Sequence, residues 1–139
     1  MVKNKKKLTK NKSDQARFVF PTHLLAPIGH FLVGEERKIL KKIRNLKEED
    51  PFKSLNRGSN NASPDADAEE QFGHMKNAAI QNQLRRRLIQ VRKALTRVKI
   101  GNYGACEKCA KLIDTDRLIV YPETTTCLTC LEKEEKKKN

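Results

Sequence analysis

Hydrophobic residues do not fall evenly along this chain. From Ile28 they recur at steps of three and four residues through Phe31, Leu32, Ile39, Leu40, Ile43 and Leu46, with Glu35, Glu36, Arg37, Lys38, Lys41, Lys42 and Arg44 between them. That period describes an amphipathic helix with a narrow apolar stripe. Ordered structure is expected from about Phe18, with Thr22 as N-cap and Pro27 in the first turn. The helix should stop near Asp50-Pro51, because proline disfavours helix in the residue before it. Residues 50–64 contain two prolines, Gly58 and the run Ser59-Asn60-Asn61, which read as a loop. A second stripe follows through Phe72, Met75, Ala79, Ile80, Leu84, Leu88, Val91, Leu95 and Val98, starting around Asp65 to Glu69, where carboxylates suit a helix N-terminus. From Leu84 the steps of four and three form a heptad seam. Upstream, Asn77 and Gln81 stand where that seam would place apolar residues. Gly101 and Gly104 should end the helix. A helix over 66–99 would be about 50 Å long at roughly 1.5 Å per residue.

Two narrow stripes joined by one loop can be hidden against each other or against a partner. The economical arrangement is an antiparallel coiled-coil hairpin over 18–100, with its tip at about 50–70 and its base beside the C-terminal segment. The expected fold is therefore mainly α, a long helical hairpin followed by a small four-cysteine unit over 101–139 built from a small strand pair and a C-terminal helix. Ahead of the hairpin, residues 1–17 carry Lys3, Lys5, Lys6, Lys7, Lys10, Lys12 and Arg17 against Asp14, and read as a disordered basic tail.

Composition sharpens this picture. Of the 139 residues, 37% are hydrophobic, 34% charged and 5% aromatic, with no Trp. Such a chain has little to bury, so a metal ion would be a useful substitute for core. The net charge of +13 favours polyanionic partners such as DNA, RNA or a nucleic-acid-processing complex, although solubility alone also accounts for it. No apolar run approaches a membrane span, and the basic N-terminus lacks the hydrophobic stretch of a secretory signal. A reducing, cytoplasmic setting is the expectation, where paired cysteines more often hold metal than form disulfides.

The four cysteines supply the candidate chemistry. Cys106-Glu107-Lys108-Cys109 is followed, seventeen residues later, by Cys127-Leu128-Thr129-Cys130. Zinc takes four donors in a tetrahedron, and each Cys-x2-Cys turn can place two sulfurs on one ion. Lys108 and Lys111 can offset part of the charge of a four-thiolate site. A dithiol redox site is the competing reading, but its usual α/β setting is missing. Catalytic zinc would need an open coordination position, and the His-x-Glu of zinc deaminases is absent. One structural Zn2+ and no enzymatic activity are expected. Between the pairs, Arg117-Leu118-Ile119-Val120-Tyr121 reads as a short strand and Pro122-Glu123 as a turn. Thr125 or Thr126 is a candidate cap for a C-terminal helix. His23, His30 and His74 show no ligand spacing.

These residues also carry a resemblance. The run from Ala94 to Cys106 (ALTRVKIGNYGAC), with Arg117-Leu118, Pro122 and Cys127-Leu128-Thr129-Cys130, resembles the DksA/TraR family over about 84–131. Ala110 departs from it, since the family usually has Gly after the first cysteine pair. The resemblance implies a bacterial-type transcription regulator that binds RNA polymerase and inserts its hairpin into the secondary channel, with acidic tip residues near the catalytic centre; the chain itself is expected to be a monomer. Asp65 and Asp67 are the candidate tip residues, although their spacing departs from the family's two-aspartate motif. Cations dominate the shaft, and Arg85, Arg86, Arg87, Arg92 and Lys93 form a candidate basic contact surface. The alternative function is a nucleic-acid-binding zinc protein without sequence specificity, using the basic tail and this helix. A helix-dipole role for the tip acids and a solvated face for the cations are the plainer readings.

Overall fold

A computed structural model describes residues 20–53 and 63–138; the basic tail and most of the loop fall outside the described residues. Two long helices dominate. α1 spans Thr22–Glu48 and α2 spans Pro64–Lys99. A short 3-10 turn, Pro51–Lys53, follows α1. Beyond α2 come α3, Thr115–Val120, and α4, Leu128–Lys138.

α1 and α2 run antiparallel. Gly29 lies against Val98 near the base, Glu35 meets Arg87 midway, and Asp50 meets His74 toward the tip. The shared seam is built from Leu25, Leu32, Ile39 and Ile43 of α1 and Leu88, Val91, Ala94 and Leu95 of α2, all buried. Leu84 and Val98 pack against it, half-buried. The heptad inferred from Leu84 onward is therefore the helix interface, and Gln81, one step upstream, continues it as a buried polar residue. Phe72 and Met75, expected on the stripe, lie outside it at 71% and 69% exposed. They fall off the heptad that Gln81 and Asn77 continue, so the face that meets α1 is polar toward the tip.

The helix ends differ in detail from expectation. Pro21, not Thr22, occupies the α1 cap position and offers no side-chain cap; Pro27 sits in the second turn. At α2, Ser63 accepts a hydrogen bond from the Ala66 N–H, and Pro64 takes the first helical position. This pairing satisfies one free N–H and places proline where its missing N–H is harmless. Asp65 and Asp67 stand in the first turn.

The C-terminal unit holds one larger correction. Residues 117–121 are not a strand. Asp114 caps a helical turn by accepting from the Asp116 N–H at 3.0 Å, and Leu118 is buried while Ile119, Val120 and Tyr121 stay exposed. The β-branched run suggested a strand, but the aspartate cap and one anchoring leucine decide the matter. Strand pairing shrinks to a single bridge between Ala105 and Leu112. α4 begins at Leu128, so Cys127 and neither threonine stands at its cap position, and Thr125 is buried.

Tyr103, Cys106, Ile113 and Leu118 join the seam residues in one continuous core. The finger and the hairpin base are thus a single packed unit. The Tyr103 hydroxyl donates to the Pro122 carbonyl at 2.9 Å, and burial, with the Glu123 charge nearby, pushes its ionisation up to about 12. Arg97 donates to the carbonyls of Asn102 and Ala105, tying the end of α2 to the approach to the first cysteine. Gly104, at φ +84°, lets the chain turn directly beneath Phe20, where an added Cβ would overlap the ring. Gly104→Ala should destabilise the protein by about 2 kcal/mol, from left-handed strain plus overpacking. A thermal melt of the zinc-loaded protein checks this; an unchanged midpoint would show that Phe20 does not hold that place.

Candidate metal centre

The first cysteine pair sits on a tight knuckle. The Cys106 N–H donates to the Lys111 carbonyl at 2.8 Å, and the Ala110 N–H returns to the Cys106 carbonyl at 3.0 Å. Closing that turn sets Ala110 at φ 58°, a left-handed conformation that favours glycine. The second pair straddles the start of α4, with Cys127 at its cap and Cys130 in its first turn. The Glu107 N–H donates to the Thr125 carbonyl at 2.9 Å, joining the two halves.

The knuckle and the α4 start converge. The four sulfurs of Cys106, Cys109, Cys127 and Cys130 all lie within 4.8 Å of one another. Cys109 Sγ and Cys127 Sγ are 3.7 Å apart, close to the edge of about 3.8 Å that a tetrahedron with zinc–sulfur bonds of about 2.3 Å requires. Amide donors point at the sulfurs: Lys108 N–H and Cys127 N–H reach Cys106 Sγ at 3.4 and 3.3 Å. Such donors stabilise thiolate, the form that binds metal. Burial resists ionisation of Cys106, but these amides bring its thiol below the ordinary range. The Thr129 hydroxyl, with the Cys130 backbone amide, draws Cys127 down to about 6. The hydrogen bond with Cys127 drives Cys130 up to about 12. Four thiolates so close repel one another, and a divalent cation at their centre removes that repulsion. Lys108 adds a cation at the rim, paired with Glu134 of α4 at 2.9 Å. Among the described residues this is the one cluster of metal-ligating side chains.

The shaft cations are in a different state from the one their sequence suggests. Arg87 forks between Glu35 of α1 at 3.1 Å and Glu123 of the finger at 3.2 Å. Arg92 bonds Glu36 at 2.7 Å, and Arg85 reaches Gln81 and Asn82. Arg86 and Lys93 have no acidic partner among the described residues. The glutamate partners were hard to foresee. Glu35 and Glu36 read as polar spacers until the antiparallel register put them opposite Arg87 and Arg92. Glu123 read as half of a turn. Asp65 and Asp67 lie far along α2 from the cysteines, and the structure does not bring them to the metal centre.

A helical hairpin whose base is closed by a four-cysteine zinc centre defines a class of small zinc-finger proteins, with one structural zinc ion per chain. The comparisons narrow it. Residues 101–136 match the model of the prokaryotic dksA/traR C4-type zinc finger. The solved structure of transcription factor DksA2 from Pseudomonas aeruginosa is similar over 84% of this chain and 86% of that one, with a TM-score of 0.68 and 22% identity, and shows the same fold. No curated protein sequence matches the chain. Among the described residues, no helix is long and apolar enough to cross a membrane.

Metal analysis should return one zinc per chain, and Cys106→Ser with Cys109→Ser should lose it. Ala110→Gly should relieve the left-handed strain and stabilise the zinc-loaded finger by about 1 kcal/mol, less the entropy that glycine adds to the unfolded chain. Thermal melting at saturating zinc reads this; a lower midpoint for the glycine variant would contradict the strain.

Proposed function

We propose that this protein is a transcription regulator that binds RNA polymerase, reaches into its secondary channel with the hairpin and acts there without catalysing a reaction itself. The observation that carries the reading is the shape of charge on the hairpin. α2 alone runs for 36 residues, about 54 Å at roughly 1.5 Å per residue. It bears Asp65 and Asp67 in its first turn at the end remote from the finger. A slender prong with carboxylates at its far end suits a narrow channel that leads to a bound Mg2+. The finger match and the shared fold support the same reading, because the similar solved structure is described as a transcription factor.

In this reading the two ends have separate roles. The finger and the hairpin base give a rigid body that docks on the polymerase surface. Asp65 and Asp67 act at the tip through charge. Arg86 and Lys93 are the shaft cations available to an acidic channel wall; Arg85, Arg87 and Arg92 already have partners within the chain and contribute to its shape. Direct DNA or RNA binding through the shaft is correspondingly less favoured, since two of its five cations are held by glutamates.

Capture on purified core polymerase, together with transcription from a regulated promoter, tests the proposal. Asp65→Asn with Asp67→Asn should leave capture unchanged and reduce regulation by about tenfold, equivalent to about 1.4 kcal/mol at the rate-limiting step. Wild-type protein that is not captured, or a double variant that regulates normally, would contradict the channel mechanism.

A further inference from the structure

The apolar seam stops before the hairpin does. Past Leu84, the heptad positions of α2 are Gln81, Asn77 and His74, while Phe72 and Met75 face outward. Leucines at those inner positions would hold the helices together at lower cost, so apolar packing is not what closes this end. A different set of contacts closes it. Asp50, just past α1, receives the His74 Nδ1 on both carboxylate oxygens, at 2.9 and 2.8 Å. The same carboxylate accepts the Phe52 N–H at 3.0 Å and so fixes the 3-10 turn. The Phe52 ring lies 4.4 Å from the imidazole, centroid to centroid, tilted by 53°. Beside it, Pro51 packs on Gly73, where an added Cβ would sit 3.4 Å from the proline ring. The hydrogen bonds from His74 and from the Phe52 amide hold the Asp50 carboxyl below the usual range.

We infer that Asp50, Phe52 and His74 form a latch that fixes where the tip loop leaves α1 and thereby positions the acidic first turn of α2 for its regulatory act. This rests on the polymerase reading given above. The latch is directional in a way that leucine packing is not. An imidazole between two carboxylate oxygens sets rotation and register, and polar pairs on a helix seam are known to specify register at some cost in stability. It also lies between the segment that binds and the segment that acts. α2 runs unbroken from His74 back to Asp65, about 14 Å along its axis at roughly 1.5 Å per residue. The loop leaving Lys53 must span from the latch to Ser63. Releasing the latch frees the 3-10 turn Pro51–Lys53 from α2 while the seam and the finger remain intact. His74 and Asp50 are positioning residues, and the chemistry of the tip belongs to other side chains.

The test pairs an intrinsic readout with a functional one on the full-length, zinc-loaded protein. For His74→Ala and for Asp50→Asn, the Phe52 amide should exchange with solvent about tenfold faster, with amides at Leu88 to Leu95 unchanged. Capture on core polymerase should stay within twofold of wild type, while promoter regulation falls about tenfold, equivalent to about 1.4 kcal/mol. His74→Asn places an amide donor where Nδ1 stood and should recover most of both losses; His74→Phe keeps the ring without the donor and should not. Unchanged exchange at Phe52 in His74→Ala overturns the latch. Faster exchange with normal regulation overturns its positioning role. Wild-type protein that fails capture overturns the polymerase reading and the regulatory half of this inference, while Phe52 exchange still decides whether the latch exists.

Discussion

Four thiols within reach of one ion are the constraint on which the rest of this structure depends. The finger buries few side chains of its own, chiefly Tyr103, Cys106, Ile113, Leu118 and Thr125, and a unit that small gains little from apolar burial. Zinc binding supplies the missing free energy and couples it to folding, because the ligand set exists only when the knuckle and the start of α4 meet. The consequence extends beyond the finger. Tyr103 and Cys106 belong to the same core as Leu25 and Leu95, Arg97 ties α2 to the approach to Cys106, and Arg87 joins both hairpin helices to Glu123. The metal therefore fixes the base from which the hairpin projects.

From base to tip, the character of the interaction changes. Near the finger, the helices share aliphatic side chains, and the Arg87 fork midway along the hairpin reaches back to the finger at Glu123. Midway, the seam is leucine, isoleucine and valine. Toward the tip it becomes polar, and one aspartate and one histidine take over. That gradient places apolar packing at the end proposed to dock and register-setting polar contacts at the end proposed to act. Functional elements are commonly drawn from the less stable end of a structure.

Much of this was legible in the sequence because it depends on periodicity and spacing. The heptad from Leu84 to Val98 named the seam of α2, and the two Cys-x2-Cys pairs named the ligands. Gln81 and Asn77 were visible as breaks in the pattern, although what replaces apolar packing there was not. Asp50 and His74 are twenty-four residues apart and meet only when the hairpin closes. The same holds for Arg87, whose partners lie on α1 and in the finger. Residues 117–121 misled because three β-branched or aromatic side chains in a row resemble a strand, whereas the Asp114 cap is a subtler signal. Ala110 is the opposite case. Its departure from the usual glycine marked the turn as altered, and its φ of 58° shows the left-handed conformation that the alanine must adopt there.

The dependence of the hairpin base on the metal can be measured directly by amide hydrogen exchange on the zinc-loaded protein and on the same protein after chelation. The account predicts that chelation removes protection at Cys106, Ile113 and Leu118 and that the loss spreads into the base of the hairpin, around Leu25, Leu95 and Val98, while Ile39 and Leu88 keep theirs. Loss confined to the finger, with the base as protected as before, would contradict the claim that the metal centre fixes the base from which the hairpin projects.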